Sequence, residues 1–405
     1  MKGFRVASVY FSGNVGVMLL SWLLYGIGSA ITNPYLSIYM KMLGASSVMI
    51  GAIYSLGMLA QLITIIPGSL LTDTIGRRQS IIIGTWGIAA TTSLYVIAPN
   101  WQTLLAVYVI NSAMAFYQPA LMSTVLDSLP SNKRASGVLM VSVLPQLPVV
   151  VLPPIGGALI GRYGLLGIRM AYLASTAVSF VVGIIRQRYL KETLTAIKPS
   201  PPSPRELLRS YDLRTSTSRL PSEAKFLLVV MFLASIASAP ASTLVPVYVI
   251  YRLNLSTVAW GTMVAAANAA YLVVGLIMTL YVDRIRRILL IVGAAVMAVA
   301  NIFGLIPNGL IISLYLVVFQ VGLQLLTTSI QSDVGDVVKA EGRGNAVGLL
   351  IIFQLIGQSI GSYLAGITYK LNALNLFIMP AIIMVMATAI IVMKRHGLAI
   401  PSKSI

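Results

Sequence analysis

Long runs without a single charge constrain this chain more than any other feature. Arg5 and Lys41, Lys41 and Asp73, Arg134 and Arg162, Lys225 and Arg252, Arg252 and Asp283, Arg343 and Lys370, and Lys370 and Lys394 are each separated by 23 to 35 residues free of Asp, Glu, Lys and Arg. One helix crosses ~30 Å of hydrocarbon in about 20 residues. A shorter run joins Arg169 to Arg186, and two runs of double length, Ser80–Leu126 and Ile288–Ser332, have polar breaks at Pro99-Asn100-Trp101 and Pro307-Asn308-Gly309. Ten stretches, two of them folded back, predict twelve spans. Only helices and closed barrels satisfy their own backbone in lipid, and runs this long and apolar predict helices. The expected fold is therefore an all-α membrane protein. Of the 405 residues 58% are hydrophobic and 9% charged, which excludes a soluble globule.

The net charge of +18 is not a nucleic-acid signal once the charges are placed. Twelve spans put both termini on one side. That side carries 23 of the 28 cations, among them Arg77, Arg78, Arg134, Arg287, Arg343 and the basic residues from Arg186 to Lys225; the other side has Lys41, Arg162, Arg169, Arg252 and Lys370. The positive-inside rule predicts cytoplasmic termini, N-in/C-in. There is no cysteine, so neither disulfide nor thiol chemistry is expected. The first apolar run lacks a signal-peptide cleavage site and reads as the first span.

A shift of about 210 residues aligns the chain with itself. Asp73 and Arg77 return as Asp283 and Arg287, and Asp127 and Arg134 as Asp336 and Arg343. Pro34 and Tyr39 return as Pro246 and Tyr251, Gly51 as Gly261, and Gly157 as Gly366. Five coincidences at offsets of 209 to 212 predict two related six-helix halves. The expected organisation is an N-terminal bundle over 1–188, a cytoplasmic linker over 189–224, and a C-terminal bundle with a short tail over 225–405. The linker holds Lys198-Pro-Ser-Pro-Pro-Ser-Pro204, which reads as extended or disordered chain. Parallel six-helix repeats about an axis along the membrane normal are one plan for a secondary transporter.

The loop after the second span reads Gly68-Ser-Leu-Leu-Thr-Asp73-Thr-Ile-Gly76-Arg77-Arg78. It resembles the signature loop of the major facilitator superfamily, Gly-x4-Asp-x2-Gly-Arg-Lys/Arg, at every key position and between the same two spans. The resemblance covers the whole chain and lies toward the drug and solute exporters. It implies a twelve-helix fold of two pseudo-symmetric bundles. It also implies that this loop braces a cytoplasmic gate joined by a carboxylate at the end of the fourth span, here Asp127. By the residues themselves, Gly68 lets another helix approach, and Asp73 and Arg77 are close enough to pair at a helix end or to face a helix N-terminus. The repeated set, Asp283, Arg287 and Asp336, is degenerate: Met278 replaces the first glycine and Arg286 the second.

Pro153-Pro154-Ile155-Gly156-Gly157 in the fifth span partly resembles the family's exporter motif, with Gly357 and Gly361 at the matching place in the other half. Small residues and prolines there also serve close packing and a bend. No ionisable side chain is expected at the membrane midplane, which argues against a deep proton relay. Neutral polar groups are expected there instead: Tyr25, Asn33, Gln61, Asn111, Gln118 and Gln146 in the first half, and Asn268, Tyr271, Gln320, Gln324, Gln354 and Gln358 in the second. Buried amides need partners, so these should face the bundle interior, either as interhelical contacts or as the wall of a pocket for an uncharged or amphipathic solute.

The function expected is secondary or facilitated transport of a small organic solute by alternating access in the cytoplasmic membrane. Export of amphipathic compounds by proton antiport stands slightly ahead of uptake or facilitated transport of a neutral polar solute such as a sugar. A transporter-like sensor is the distant alternative. Without cysteine, with its one histidine (His396) in the tail, and with no buried acid, the chain offers no nucleophile–base pair and no metal ligand set. No enzyme activity, metal or cofactor is expected. The expected partners are the solute, membrane lipids and protons, with no nucleic acid, and the protein is expected to be a monomer.

Overall fold

The computed structural model describes residues 11–130, 140, 141, 143–194, 203, 212–218, 220–338 and 342–395. Among them the chain is helical and has no strand. The long helices are α1 (Gly13–Met42), α2 (Ser47–Ile75), α3 (Arg77–Ile97), α4 (Trp101–Asp127), α5 (Leu144–Tyr163), α6 (Leu165–Tyr189), α7 (Ser222–Arg252), α8 (Thr257–Gly304), α9 (Gly309–Val337), α10 (Arg343–Leu371) and α11 (Asn375–Arg395). Among the described residues eleven apolar helices are long enough to cross a membrane, the eighth being Thr257–Met278 within α8.

Prolines set the irregular turns inside these helices. A 3₁₀ turn at Asn33–Tyr35 contains Pro34, another at Met114–Tyr117 precedes Pro119, and one at Leu144–Gln146 contains Pro145. Each proline removes a backbone donor and crowds the preceding turn. The two polar breaks inside the double-length runs are true helix ends. Asn100 Oδ1 accepts from Thr103 N at 2.9 Å to start α4, and Asn308 Oδ1 accepts from Leu310 N at 2.9 Å to start α9.

One expected break does not occur. The charges at Asp283–Arg287 imply a loop between two spans, yet α8 runs unbroken for 48 residues. The reason is the glycine that the second repeat lacks. Gly76 separates α2 from α3 with φ 90°, a conformation that L side chains rarely adopt. Its counterpart is Arg286, and no glycine or proline lies between Leu276 and Val292. Charge alone does not stop a helix. At 1.5 Å per residue α8 is ~70 Å long, more than twice the depth of one crossing. The apolar segment after its charged stretch, Ile288–Gly304, is shorter than the other candidate spans.

The chain forms two compact units. The first comprises Met1–Ala45, Leu56–Asp212 and Ser256–Ala265; the second comprises Ser46–Ser55, Leu213–Leu255 and Ala266–Ile405. Each unit thus takes ten residues from the other sequence repeat. In the first, α1, α3 and α6 pack through small residues and a ladder of rings. Tyr95 stacks on Tyr172 at 4.7 Å, and Tyr39 tilts against Tyr172 at 5.6 Å. In the second, α7 lies directly against α10. A Cβ on Gly357 would be 2.6 Å from Phe232 O, and one on Gly361 would be 2.4 Å from Ile236 O. Large apolar side chains such as Ile63, Leu166, Leu173, Ile184 and Val385 are exposed, as surface covered by hydrocarbon rather than water allows.

Candidate functional site

The signature loop is built at the junction of α2 and α3. Gly68 sits where a Cβ would be 2.3 Å from Phe116 O, so only glycine allows α2 to pass α4 so closely. Gly76 makes the turn, and Arg77 and Arg78 begin α3. Arg77 forms an ion pair with Asp127 at the end of α4 and donates to Thr193 Oγ1 at 3.2 Å. Asp73 is exposed on the last turn of α2.

A residue not singled out in the sequence completes this junction. The Glu192 carboxylate accepts from four backbone N–H groups: Arg77 at 3.2 Å, and Arg78, Thr193 and Leu194 at 2.9 Å each. It thereby satisfies the open donors at the positive N-terminus of α3. Arg78 reaches the other way, donating from Nε to Leu190 O at 2.8 Å and from Nη2 to Gln187 O at 2.7 Å. The chain that leaves α6 is fastened to the signature loop by both arginines. Nothing in the spacing links Glu192 to residues more than a hundred positions earlier.

Burial alone would push the Glu192 carboxyl up, but the four backbone donors outweigh it and hold the group below its ordinary value of 4.5. Its contribution to stability is therefore complete above that value and fades only as pH falls through the lowered one. Glu192→Gln should cost about 1 kcal/mol, as for loss of a helix cap. Thermal melts should show the same gap between variant and wild type across neutral pH, narrowing only below the ordinary carboxylate range. A gap that closes near neutrality would contradict the arrangement.

The repeated set is described only in part. Asp336 is exposed, and Arg343 Nε donates to Val338 O at 3.2 Å. Arg134 lies outside the described residues, as do the Pro-rich linker stretch, His396 and the side chains of Asp283 and Arg287.

The duplicated glycines meet in two matching close approaches. In the first unit the start of α8 lies on the proline–glycine segment of α5. A Cβ on Gly157 would be 2.3 Å from Thr257 O, and one on Gly261 would be 2.7 Å from Pro153 O. Thr257 Oγ1 donates to Gly157 O at 2.5 Å, Tyr35 Oη to Pro153 O at 2.6 Å, and Trp260 Nε1 to Pro34 O at 2.8 Å. Gly156 lets Ile31 approach, with a Cβ-to-oxygen distance of 2.6 Å. In the second unit the start of α2 lies on α10. A Cβ on Gly51 would be 2.4 Å from Ser362 O, one on Gly366 would be 2.8 Å from Ser47 O, and the hydroxyls of Ser55 and Ser359 are 2.9 Å apart. The repeat that aligns Gly51 with Gly261 and Gly157 with Gly366 is thus a repeat of contacts.

The amides are only partly gathered. Gln61 Nε2 donates to Gln118 Oε1 at 3.3 Å, and Asn111 Nδ2 to Thr91 Oγ1 at 2.7 Å. Gln324 is half-buried and extends over Gly275, with its Oε1 buried and unpaired among the described residues. Asn268, Tyr271, Gln320, Gln354 and Gln358 are half-buried, whereas Asn33 and Gln146 are exposed. Tyr25 lies against α6, where Arg186 is stacked on its ring at 5.3 Å. Arg186, counted by the sequence reading among the charges of the polar segment, is fully buried.

Eleven apolar helices among the described residues, matching close approaches at the duplicated glycines and an arginine-braced α2–α3 loop are features of a membrane carrier. The family model described as Major Facilitator Superfamily matches residues 18–323 and 227–401. The chain belongs to the Major Facilitator Superfamily. An uncharacterised MFS-type transporter of Methanocaldococcus jannaschii is 23% identical over 354 residues, 86% of this chain and 89% of that one. Among solved structures, the nucleoside transporter NupG superposes with a TM-score of 0.75 at 13% identity, covering 94% of this chain and 98% of its own. The human organic anion transporter MFSD10 gives 0.70 at 15% identity, covering 93% and 98%. These likenesses show the fold. As an MFS protein the chain is a multi-pass membrane transporter and not an enzyme.

Proposed function

We propose that the protein moves a small organic solute across the cytoplasmic membrane by alternating access, as a monomer with twelve crossings and both termini in the cytoplasm. In this reading 1–188 and 225–405 are the two bundles, 189–224 is the linker between them, and Ile288–Gly304 makes the twelfth crossing. The reciprocal docking of helix starts carries the proposal: Thr257–Gly261 lies on α5 and Ser47–Gly51 on α10. Each contact joins the first sequence repeat to the second through backbone and glycine. Such a contact can open and close as a rigid surface without rearranging a core.

Export of amphipathic compounds by proton antiport is the leading mode, supported by the proline–glycine packing of α5. Uptake or facilitated movement of a neutral polar solute is the second, supported by the paired amides Gln61–Gln118. Flux of labelled solutes into proteoliposomes, with and without a pH gradient, separates them. A flux that follows the gradient selects antiport, and one indifferent to it selects facilitated transport. The loop should matter in either case. Asp73→Asn is expected to slow transport while leaving membrane insertion intact, and wild-type flux in that variant would remove the loop from the mechanism.

A further inference from the structure

Arg186 is the largest fully buried side chain in the described residues. It occupies the last turn of α6 and points between α1 and α3. Its Nη1 donates to Thr85 Oγ1 at 2.8 Å, and its guanidinium carbon lies 5.3 Å from the centre of the Tyr25 ring. These two contacts hold the group at one nitrogen and against one ring. Its Nε and Nη2 are buried and, among the described residues, have no hydrogen-bond partner. The Tyr25 hydroxyl, buried beside Tyr117, has none of good geometry either.

The pattern of satisfied and open donors is specific. In an arginine, Nε–H and one N–H of Nη2 point the same way along a single edge of the guanidinium. That edge matches two oxygens of a carboxylate or phosphate with parallel hydrogen bonds. Here it is the edge left open, while the opposite nitrogen is tied to Thr85. A cation in a membrane helix without a countercharge is costly and marks a functional site by default, and each buried donor left unpaired adds to that cost. Water could occupy the edge, but an oxyanion would satisfy both donors and the charge together.

We propose that Arg186, oriented by Thr85 and Tyr25, binds an oxyanion, a carboxylate or a phosphate group, through its Nε/Nη2 edge. Arg186 is fully buried in this structure, so binding requires α1, α3 and α6 to part near the end of α6. Binding does not depend on the direction or coupling of transport, and its test is separate from the carrier test.

The test is a titration of the purified full-length protein in detergent with sodium benzoate and with inorganic phosphate, read as melting temperature, with sodium chloride at equal ionic strength as control. A saturable rise with benzoate or phosphate beyond the chloride effect is expected. Arg186→Lys keeps the charge but loses the paired donors, and should weaken half-saturation by about tenfold or more, the loss of one charge-assisted hydrogen bond. Arg186→Gln should remove the rise; if that variant does not fold, the lysine variant decides. Proteoliposome flux then distinguishes the source. Labelled benzoate or phosphate carried by wild type and not by Arg186→Lys makes the anion part of the solute, whereas binding without flux makes it a resident ion. No saturable stabilisation of wild type by either anion, or a lysine variant equal to wild type, would overturn the proposal.

Discussion

A single methyl group at Gly157 should remove most of the transport while leaving a folded, membrane-inserted protein. The Cβ of Gly157→Ala would stand 2.3 Å from Thr257 O and 2.7 Å from Tyr35 Oη. The first of these is backbone and cannot rotate away. The helices must separate, which breaks the hydrogen bond from Thr257 to Gly157 O and pulls Tyr35 from its bridge between Pro153 O and Thr257 O. Overpacking of this kind costs about 1–3 kcal/mol, and each lost hydrogen bond adds roughly 0.5–1.5 kcal/mol.

A carrier whose closed and open forms differ by a few kcal/mol would then shift its equilibrium by about a hundredfold toward the form lacking this contact. Flux should fall by a similar order. Gly51→Ala should behave in the same way, since its Cβ would be 2.4 Å from Ser362 O. Gly183→Ala is the control: its nearest neighbours are side-chain atoms of Trp86 at 3.2 Å, which can give. Near-wild-type flux at Gly157→Ala would mean that the contact is not part of the cycle.

The sequence carried the helices and the signature loop because both follow from short-range chemistry. Uncharged runs of crossing length must be helices, and the loop's two glycines have local reasons, a close approach to Phe116 O and φ 90° at Gly76. The duplicated glycines were legible as a repeat, but not as contacts, because a repeat offset does not say which copy meets which. Three features were not legible, for identifiable reasons. The charges at Asp283–Arg287 suggest a loop, yet the missing turn glycine decides, and α8 continues. Glu192 has no local signal, because its partners lie across the sequence at Arg77 and Arg78. Arg186 was grouped with the polar segment that follows it. A signal was present: Ser175, Ser179, Val182 and Arg186 fall at helical spacing on one face of α6, and all are buried.

The reciprocal contacts are also where the alternating-access account meets its most direct test. The natural chain contains no cysteine, so a pair introduced by Ser55→Cys and Ser359→Cys would be its only thiols. The two hydroxyls are 2.9 Å apart, and Ser359 Oγ also reaches Ser55 O at 3.2 Å, so two sulfurs can occupy the same positions with little change of volume. If the start of α2 must leave α10 once in every cycle, oxidation will join the pair and stop solute flux in proteoliposomes. A reductant will then restore it, and each single variant will transport under both conditions. A fully cross-linked protein that transports at the wild-type rate would contradict the account.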